Sequence, residues 1–318
     1  MDKPLPRFSP RRELGRTGFV ATALGIGDIA DRSVPIETCV ATLRRALDAG
    51  LNVIDTAPGY EDGYSEQIVG RAVAEALATG TPRAALFVID KIDVHEQPVR
   101  PQIDASLARL GLPATDLFVM HGLSSVEGWH KAAAPGGAME QLQDAIRAGK
   151  TRFRGISSHH PEVLHLAIHS GLCDVVLFAV GPFVEPRYVH EILPLAKARG
   201  VGTVCFKTFG AGKLLGDTSG YSRPLQERPR GKFSSGGVAT GDSDLPRLTA
   251  RDCVHYTLTC DPDVALLGMS FPNEQDAVCA AAREFRPLSA QQMGAIRQQA
   301  IAARAQKGPC WWNPDPNA

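Results

Sequence analysis

Strand-like and helix-like segments alternate along almost the whole of this chain, and that alternation restricts its fold more than any other feature. Short apolar runs at Asn52–Asp55, Ala85–Ile89, Asp116–Met120, Phe153–Ile156, Asp174–Phe178, Val201–Phe206 and Val264–Leu267 read as buried strands. Between them lie helical patterns at Ile36–Ala49 (stopped by Gly50), Ser65–Ala78, Ile103–Leu110, Ala138–Ala148, Pro161–Ser170, Val189–Ala198 and Glu274–Ala282. With a first strand at Ala23–Gly25, this makes about eight β/α units, the pattern of a parallel sheet covered by helices. At 318 residues the chain is long enough for two domains by length alone, but eight units predict one closed (β/α)8 TIM barrel spanning 1–318. An open doubly wound sheet would want a glycine-rich first turn, and Leu24-Gly25-Ile26-Gly27-Asp28 supplies two glycines.

Three stretches fall outside the rhythm. Residues 12–25 read as an N-terminal hairpin around Gly15-Arg16-Thr17-Gly18, leading into the first strand. Residues 216–245 are rich in Gly, Ser, Pro and Arg and are expected to form a long loop after the seventh strand, of the length that usually serves function. Residues 308–318, with Trp311 and Trp312 among prolines, read as an irregular tail.

Composition excludes several classes of protein. Thirty-four basic residues balance thirty-four acidic ones, so no nucleic-acid or acidic-membrane partner is expected. Seven scattered cysteines without a C-x-x-C suit reduced thiols better than a disulfide framework or a zinc ribbon. No stretch approaches the roughly 18 apolar residues of a membrane helix, and the N-terminal segment lacks the apolar core of a secretory signal. A soluble cytoplasmic protein is expected; oligomeric state leaves no trace in the sequence.

Four ionisable side chains stand where these strands emerge. Asp55 ends the run Leu51–Ile54, Lys91 follows Leu86–Asp90, and His121 follows Leu117–Met120; Tyr60 lies on the loop leaving the first of them. Barrel active sites lie at the C-terminal strand ends, and adjacent strands are about 4.8 Å apart, so the four can share one site. An ammonium beside a phenol favours the phenolate over its reference pKa of about 10. A carboxylate beside the lysine keeps it charged and in place. Tyr60 then serves as general acid toward a carbonyl oxygen, and His121 as the hydrogen-bond donor that orients it. The hydride must come from a cofactor.

Leu14-Gly15-Arg16-Thr17-Gly18, Ala49-Gly50-Leu51-Asn52-Val53-Ile54-Asp55-Thr56-Ala57 and Tyr60-Glu61-Asp62-Gly63-Tyr64-Ser65-Glu66 with Gly70 closely resemble the aldo-keto reductases. Lys91 and His121 fall where that family's lysine and histidine fall. The resemblance implies a barrel closed below by the hairpin and reversible, nicotinamide-dependent carbonyl reduction through Asp55, Tyr60, Lys91 and His121. It also implies cofactor contacts from Asp55, Ser157, Ser158, Phe206, Gly210, Gly212, Lys213, Leu214, Gly268, Ser270 and Gln275. Several of these depart from the family pattern. Ser158 replaces an asparagine, Leu177 a glutamine, and Phe206 the more usual tyrosine; Val278 and Cys279 stand where a later asparagine is expected. Met269 and Gln275 occupy the positions where a base often grips a 2′-phosphate, which Lys213, Arg223, Arg228 or Arg230 would have to replace. The family favours NADP(H), with NAD(H) possible.

Other features point elsewhere less strongly. His165 and His169 stand at i, i+4 on one predicted helix face, near His159 and His160, and offer a metal-dependent hydrolase as an alternative; surface histidines are the plainer reading. Asp90 and Asp93, flanking Lys91, read as surface charge. Gly268-Met269-Ser270-Phe271-Pro272 lacks the second glycine of a nucleophile elbow. Cys310, Trp311 and Trp312 read as packing at a chain end, with a substrate-wall role as the alternative. A non-catalytic nucleotide-binding regulatory or sensor protein on the same barrel is the other functional reading.

Overall fold

The computed structural model describes residues 10–27, 29–32, 34–215, 246–270, 272–305, 310, 312 and 313. The expected loop at 216–245, with Arg223, Arg228 and Arg230, lies outside them, as do Asp28, Phe271, Trp311 and most of the 308–318 tail.

The chain opens as an antiparallel hairpin, β1 (Arg11–Glu13) with β2 (Val20–Thr22). Its turn passes through Gly15 at φ +49°, where a Cβ would stand 2.2 Å from the amide nitrogen of Gly202. Glycine is needed there because the turn presses directly on the barrel floor. The eight strands that follow are β3 (Leu24–Gly27), β4 (Val53–Asp55), β5 (Phe87–Ile92), β6 (Leu117–Met120), β7 (Phe153–Ser157), β8 (Val175–Ala179), β9 (Gly202–Phe206) and β10 (Val264–Leu267). They pair in parallel and in chain order, and β10 pairs with both β9 and β3 to close the barrel.

Around them lie α1 (Ile36–Asp48), α2 (Tyr64–Ala78), α3 (Val99–Leu110), α4 (Val126–Ala133), α5 (Ala138–Arg147), α6 (Pro161–Ser170), α7 (Leu193–Ala198), α8 (Ala250–Cys260), α9 (Pro272–Arg283) and α10 (Ala290–Arg304). Two apolar layers result, because successive strand residues face opposite sides. Inward residues such as Val53, Phe87, Ile89, Leu117, Val119 and Val204 fill the barrel, floored by Leu14, Phe19 and Ala21 of the hairpin. Outward residues such as Ile54, Val88, Phe118 and Cys205 pack under the helices.

The expected barrel is present, with corrections to its parts. The hairpin spans Arg11–Thr22, and the first barrel strand is Leu24–Gly27 rather than Ala23–Gly25. Lys91 lies inside β5 rather than after it. The polar pair Asp90-Lys91 ends the apolar run, yet the ladder continues through Asp90↔Phe118, Lys91↔Val119 and Ile92↔Met120. The expected helix at Val189–Ala198 is a π-turn over Tyr188–Ile192 followed by α7. Pro194, at the start of α7, cannot donate to the carbonyl one turn back, which suits the wider turn before it.

Helices α4, α8 and α10 lie where no element was expected. The α8 sequence, ARDCVHYTLTC, is built largely of residues with modest helix propensity, but Thr249 and Asp252 cap it reciprocally. Ser289 and Gln292 do the same for α10. Among the described residues no helix is long and apolar enough to cross a membrane. All seven cysteines are free thiols.

Candidate active site

The period-two pattern that fills the barrel also builds the site. Continuing the inward series by one step from Val53, Ile89, Val119, Val204 and Leu266 gives Asp55, Lys91, His121, Phe206 and Gly268. The layer above the apolar core therefore carries the ionisable side chains of Asp55, Lys91 and His121, at the C-terminal ends of the strands.

Lys91 is 2 % exposed. Its ammonium donates to Asp55 Oδ2 at 2.7 Å and to the Thr56 carbonyl at 2.6 Å. Burial pushes the Asp55 carboxyl up, against the opposing pull of Lys91's charge and hydrogen bond and of His121. Asp55 Oδ1 is buried without a hydrogen-bond partner among the described residues. The aspartate also depends on its neighbour Gly27, where a Cβ would stand 3.0 Å from Asp55 Cβ and 3.2 Å from Oδ2.

Tyr60 comes to the same place on the loop between β4 and α2. Lys91 Nζ lies 4.6 Å from the Tyr60 ring centroid, and the His121 ring meets it edge-on at 5.7 Å. Three successive left-handed residues, Glu61, Asp62 and Gly63 at φ +54°, +50° and +79°, turn the chain sharply after Tyr60. Such backbone costs of order 1 kcal/mol or more per non-glycine residue and persists where surrounding bonds over-determine it. Here those bonds are Thr56 Oγ1 to Ser65 Oγ (2.8 Å), the Gly63 amide to the Pro58 carbonyl (2.7 Å) and Arg32 Nε to the Glu61 carbonyl (3.0 Å).

His121 presents Nδ1 to Asp93 Oδ1 at 2.5 Å, and Asp93 Oδ2 accepts the Gly59 amide at 2.6 Å. Burial pushes the Asp93 carboxyl up, but the His121 bond and charge, the Gly59 amide and Lys91 outweigh it and hold the group below its ordinary value. Asp93 is thus part of the site rather than surface charge. Asp90 faces the opposite way and is fully buried beneath the helices, because strand alternation turns it outward against α2 and α3. Burial, then the nearby Glu66 charge, push its carboxyl well up, against the Lys91 amide bond and charge. Glu66 is itself buried and paired with Arg109, whose Nη2 reaches Oε1 at 2.9 Å.

The remaining expected site residues are placed unevenly. Ser157 ends β7 with its Oγ accepting the Gly122 amide at 2.7 Å; Ser158 is buried and accepts the His160 amide at 3.1 Å. Leu177, level with Ser157, belongs to the apolar barrel filling. Phe206 is half-buried at the rim, 5.2 Å from the His159 ring. Burial, then Lys207 and His121, push His159 down to about 3, so that ring is neutral at physiological pH.

The amides of Gly210, Gly212, Lys213 and Leu214 are engaged within their own turn, and Leu214's side chain is core. Gly268 and Ser270 follow β10. Gln275 is turned away toward α1: its amide nitrogen donates to the Thr42 and Met269 carbonyls, and Oε1 accepts from Arg45. Trp312 is buried, with Nε1 donating to the Phe183 carbonyl at 3.2 Å and Lys207 Nζ 5.5 Å from its ring. The rings of His165 and His169 lie 4.3 Å apart, tilted to one another, on α6, and no group of three or more metal-capable side chains occurs among the described residues.

Comparison with known proteins decides the family. The model of the Aldo/keto reductase family matches residues 22–301, most of the chain. The chain belongs to the aldo/keto reductase family. The L-galactose dehydrogenase of Arabidopsis thaliana is 27% identical over 306 residues, covering 91% of this chain and 93% of the plant protein. The NADH-specific methylglyoxal reductase of Escherichia coli is 25% identical, over 67% of this chain and 69% of its own. Among solved structures, a Bombyx mori aldo-keto reductase in complex with NADP superposes with a TM-score of 0.66 at 18% identity, covering 92% of each chain, a likeness of fold.

For this aldo/keto reductase, sequence reasoning read Asp93 as surface charge and gave no role to Thr56 or Gly27. Thr56 acts through its carbonyl, which no side-chain pattern reports. Gly27's importance lies in the space left for Asp55. For Asp93 a signal was present: it lies two residues beyond Lys91, on the same strand parity, at the rim where catalytic side chains gather.

Proposed function

We propose that this aldo/keto reductase reversibly reduces an aldehyde or ketone to an alcohol with a nicotinamide dinucleotide as hydride donor. The observation that carries the reading is the Lys91 ammonium, buried between Asp55 and Thr56 and 4.6 Å from the Tyr60 ring. A lone proton-transfer tyrosine needs such a fixed cation to accept and release its proton near neutral pH.

The nicotinamide end of a dinucleotide fits this rim. Asp55 Oδ1 is a buried acceptor with no partner among the described residues, Ser157 retains a hydroxyl proton to donate, and Phe206 offers an aromatic face. When bound, the nicotinamide supplies the hydride. Tyr60 gives its phenolic proton to the carbonyl oxygen as charge builds there, and takes it back from the alcohol in the reverse direction. Lys91 stabilises the phenolate left behind, Asp55 holds Lys91, and His121 bonds the same substrate oxygen.

Toward the adenosine end the support is thinner, with Met269 and Gln275 bringing no cation and Gln275's amide committed to α1. NADP(H) remains ahead of NAD(H) on the NADP-bound neighbour, and the NADH-specific relative keeps the second cofactor in play.

Fluorescence titration with NADPH and with NADH, followed by a panel of aldehydes and ketones, tests the reading. Binding of at least one dinucleotide and turnover of at least one carbonyl are expected; failure to bind either dinucleotide would sink it. In Tyr60→Phe, turnover is expected to vanish with cofactor affinity unchanged within a few-fold. Undiminished turnover would mean that the acid is elsewhere.

A further inference from the structure

Asp93 stands outside the four catalytic side chains yet bonds to two of the segments that carry them. One oxygen meets His121 Nδ1 and the other takes the amide of Gly59, the residue before Tyr60. Gly59 has no room for a side chain, since a Cβ there would lie 2.6 Å from Asp93 Oδ2. The carboxylate therefore clamps the tyrosine loop to the histidine ring across the mouth of the barrel.

An ionised carboxylate only accepts hydrogen bonds, so the ring nitrogen facing it must carry the proton. We propose that Asp93 is a positioning residue that fixes His121 as the Nδ1–H tautomer, so that Nε2 accepts a hydrogen bond when the ring is neutral and donates one only as imidazolium. This refines the simple donor role expected for His121 and rests on the carbonyl–alcohol reading above. The single hydroxyl proton of the alcohol goes to Tyr60, so neutral His121 donates nothing to the substrate oxygen, and only the charged ring donates to the carbonyl oxygen. The reaction balances: the imidazolium donates a hydrogen bond without losing its proton, and the transferred proton is Tyr60's.

The groups that face this pair are Lys91 and Asp55 from the strands, Tyr60 from the loop and His159 beyond β7, and the charge of Arg109 on α3, paired with Glu66, also acts on Asp93. His95 adds a contact between its Nε2 and the His121 carbonyl at 2.8 Å. Asp93's carboxyl is depressed in this setting, so its clamp is present above the usual carboxylate range and is lost only as pH falls below it.

Nitrogen-15 NMR of histidine-labelled protein reads the tautomer directly, without turnover. The neutral His121 ring in the wild type is expected to carry its proton on Nδ1. In Asp93→Asn the single amide oxygen serves Gly59 and the NH2 faces Nδ1, moving the ring proton to Nε2. The KM for carbonyl should then not rise, because the variant's neutral ring donates from Nε2 to the substrate oxygen. An Nε2 proton in the wild type, or an Nδ1 proton retained in the variant, overturns the proposal. If the tautomers behave as stated but no carbonyl is turned over, the reductase reading has failed and the clamp stands. Normal turnover with the wrong tautomer rejects the clamp alone.

Discussion

Replacing Lys91 by methionine tests the buried pair on which the site is built. The side chain is nearly isosteric, so packing is largely kept, while Asp55 Oδ2 loses its 2.7 Å partner and joins Oδ1, which has no described hydrogen-bond partner. A carboxylate left unpaired at 3 % exposure has two options. Staying charged costs about 3–5 kcal/mol, the usual penalty for breaking a buried pair from one side. Taking up a proton instead costs about 1.4 kcal/mol for each pH unit above the unfolded aspartate's pKa of about 3.9, or about 4 kcal/mol at pH 7.

The second route makes the penalty depend on pH, with a definite sign. An acid whose folded pKa is raised destabilises the fold as pH rises from its unfolded value through its folded one. Urea unfolding of wild type and Lys91→Met at pH 5 and pH 7 should therefore show a loss of at most about 1.5 kcal/mol at the lower pH and at most about 4 at the higher, reduced by what the raised Asp55 already costs the wild type. The double variant Asp55→Asn/Lys91→Met carries no charge at this pair and should recover most of the loss at pH 7. A loss equal at both pH values, or a double variant no more stable than the single, would refute the reasoning.

Other outcomes follow from neighbouring groups. Asp90 is buried with a raised carboxyl pKa, so Asp90→Asn should gain stability over wild type progressively as pH rises above the ordinary carboxylate range; thermal midpoints across pH 5–8 that run parallel would contradict this. Gly27→Ala puts a methyl 3.0 Å from Asp55 Cβ, and overpacking of this kind costs about 1–3 kcal/mol. A folded protein with turnover reduced at least ten-fold is expected, checked by circular dichroism beside a carbonyl assay. Arg109→Met leaves the buried Glu66 unpaired and should lower stability by about 3–5 kcal/mol in urea.

Much of the site was legible because its residues obey the pattern that builds the barrel. Asp55, Lys91 and His121 extend inward-facing series, and an apolar run followed by an ionisable residue is visible in one dimension. Tyr60 was legible through its motif neighbours, Glu61-Asp62-Gly63, whose left-handed turn depends on local chemistry. Helix α8 was missed because its weak propensity is overcome by capping and burial against neighbours that a local window does not contain, whereas α10 is built of good helix formers and was missed because few of its residues are apolar and only Ile296, Ala300 and Ala303 are buried.

Sequence alone thus determined the β/α order, the closed barrel, the polar layer above its core and the family to which these motifs belong. Tertiary structure decided which carboxylates pair with what. Strand parity and the packing of α2 and α3 bury Asp90 beside Glu66, while Asp93, three residues along, curls over the rim to meet His121 and Gly59. Gln275 was turned toward α1 by the same kind of choice, made by which helix lies beside it. Hydrogen bonds form between groups within about 3 Å in space, and residues distant along the chain reach that separation only once the barrel has closed.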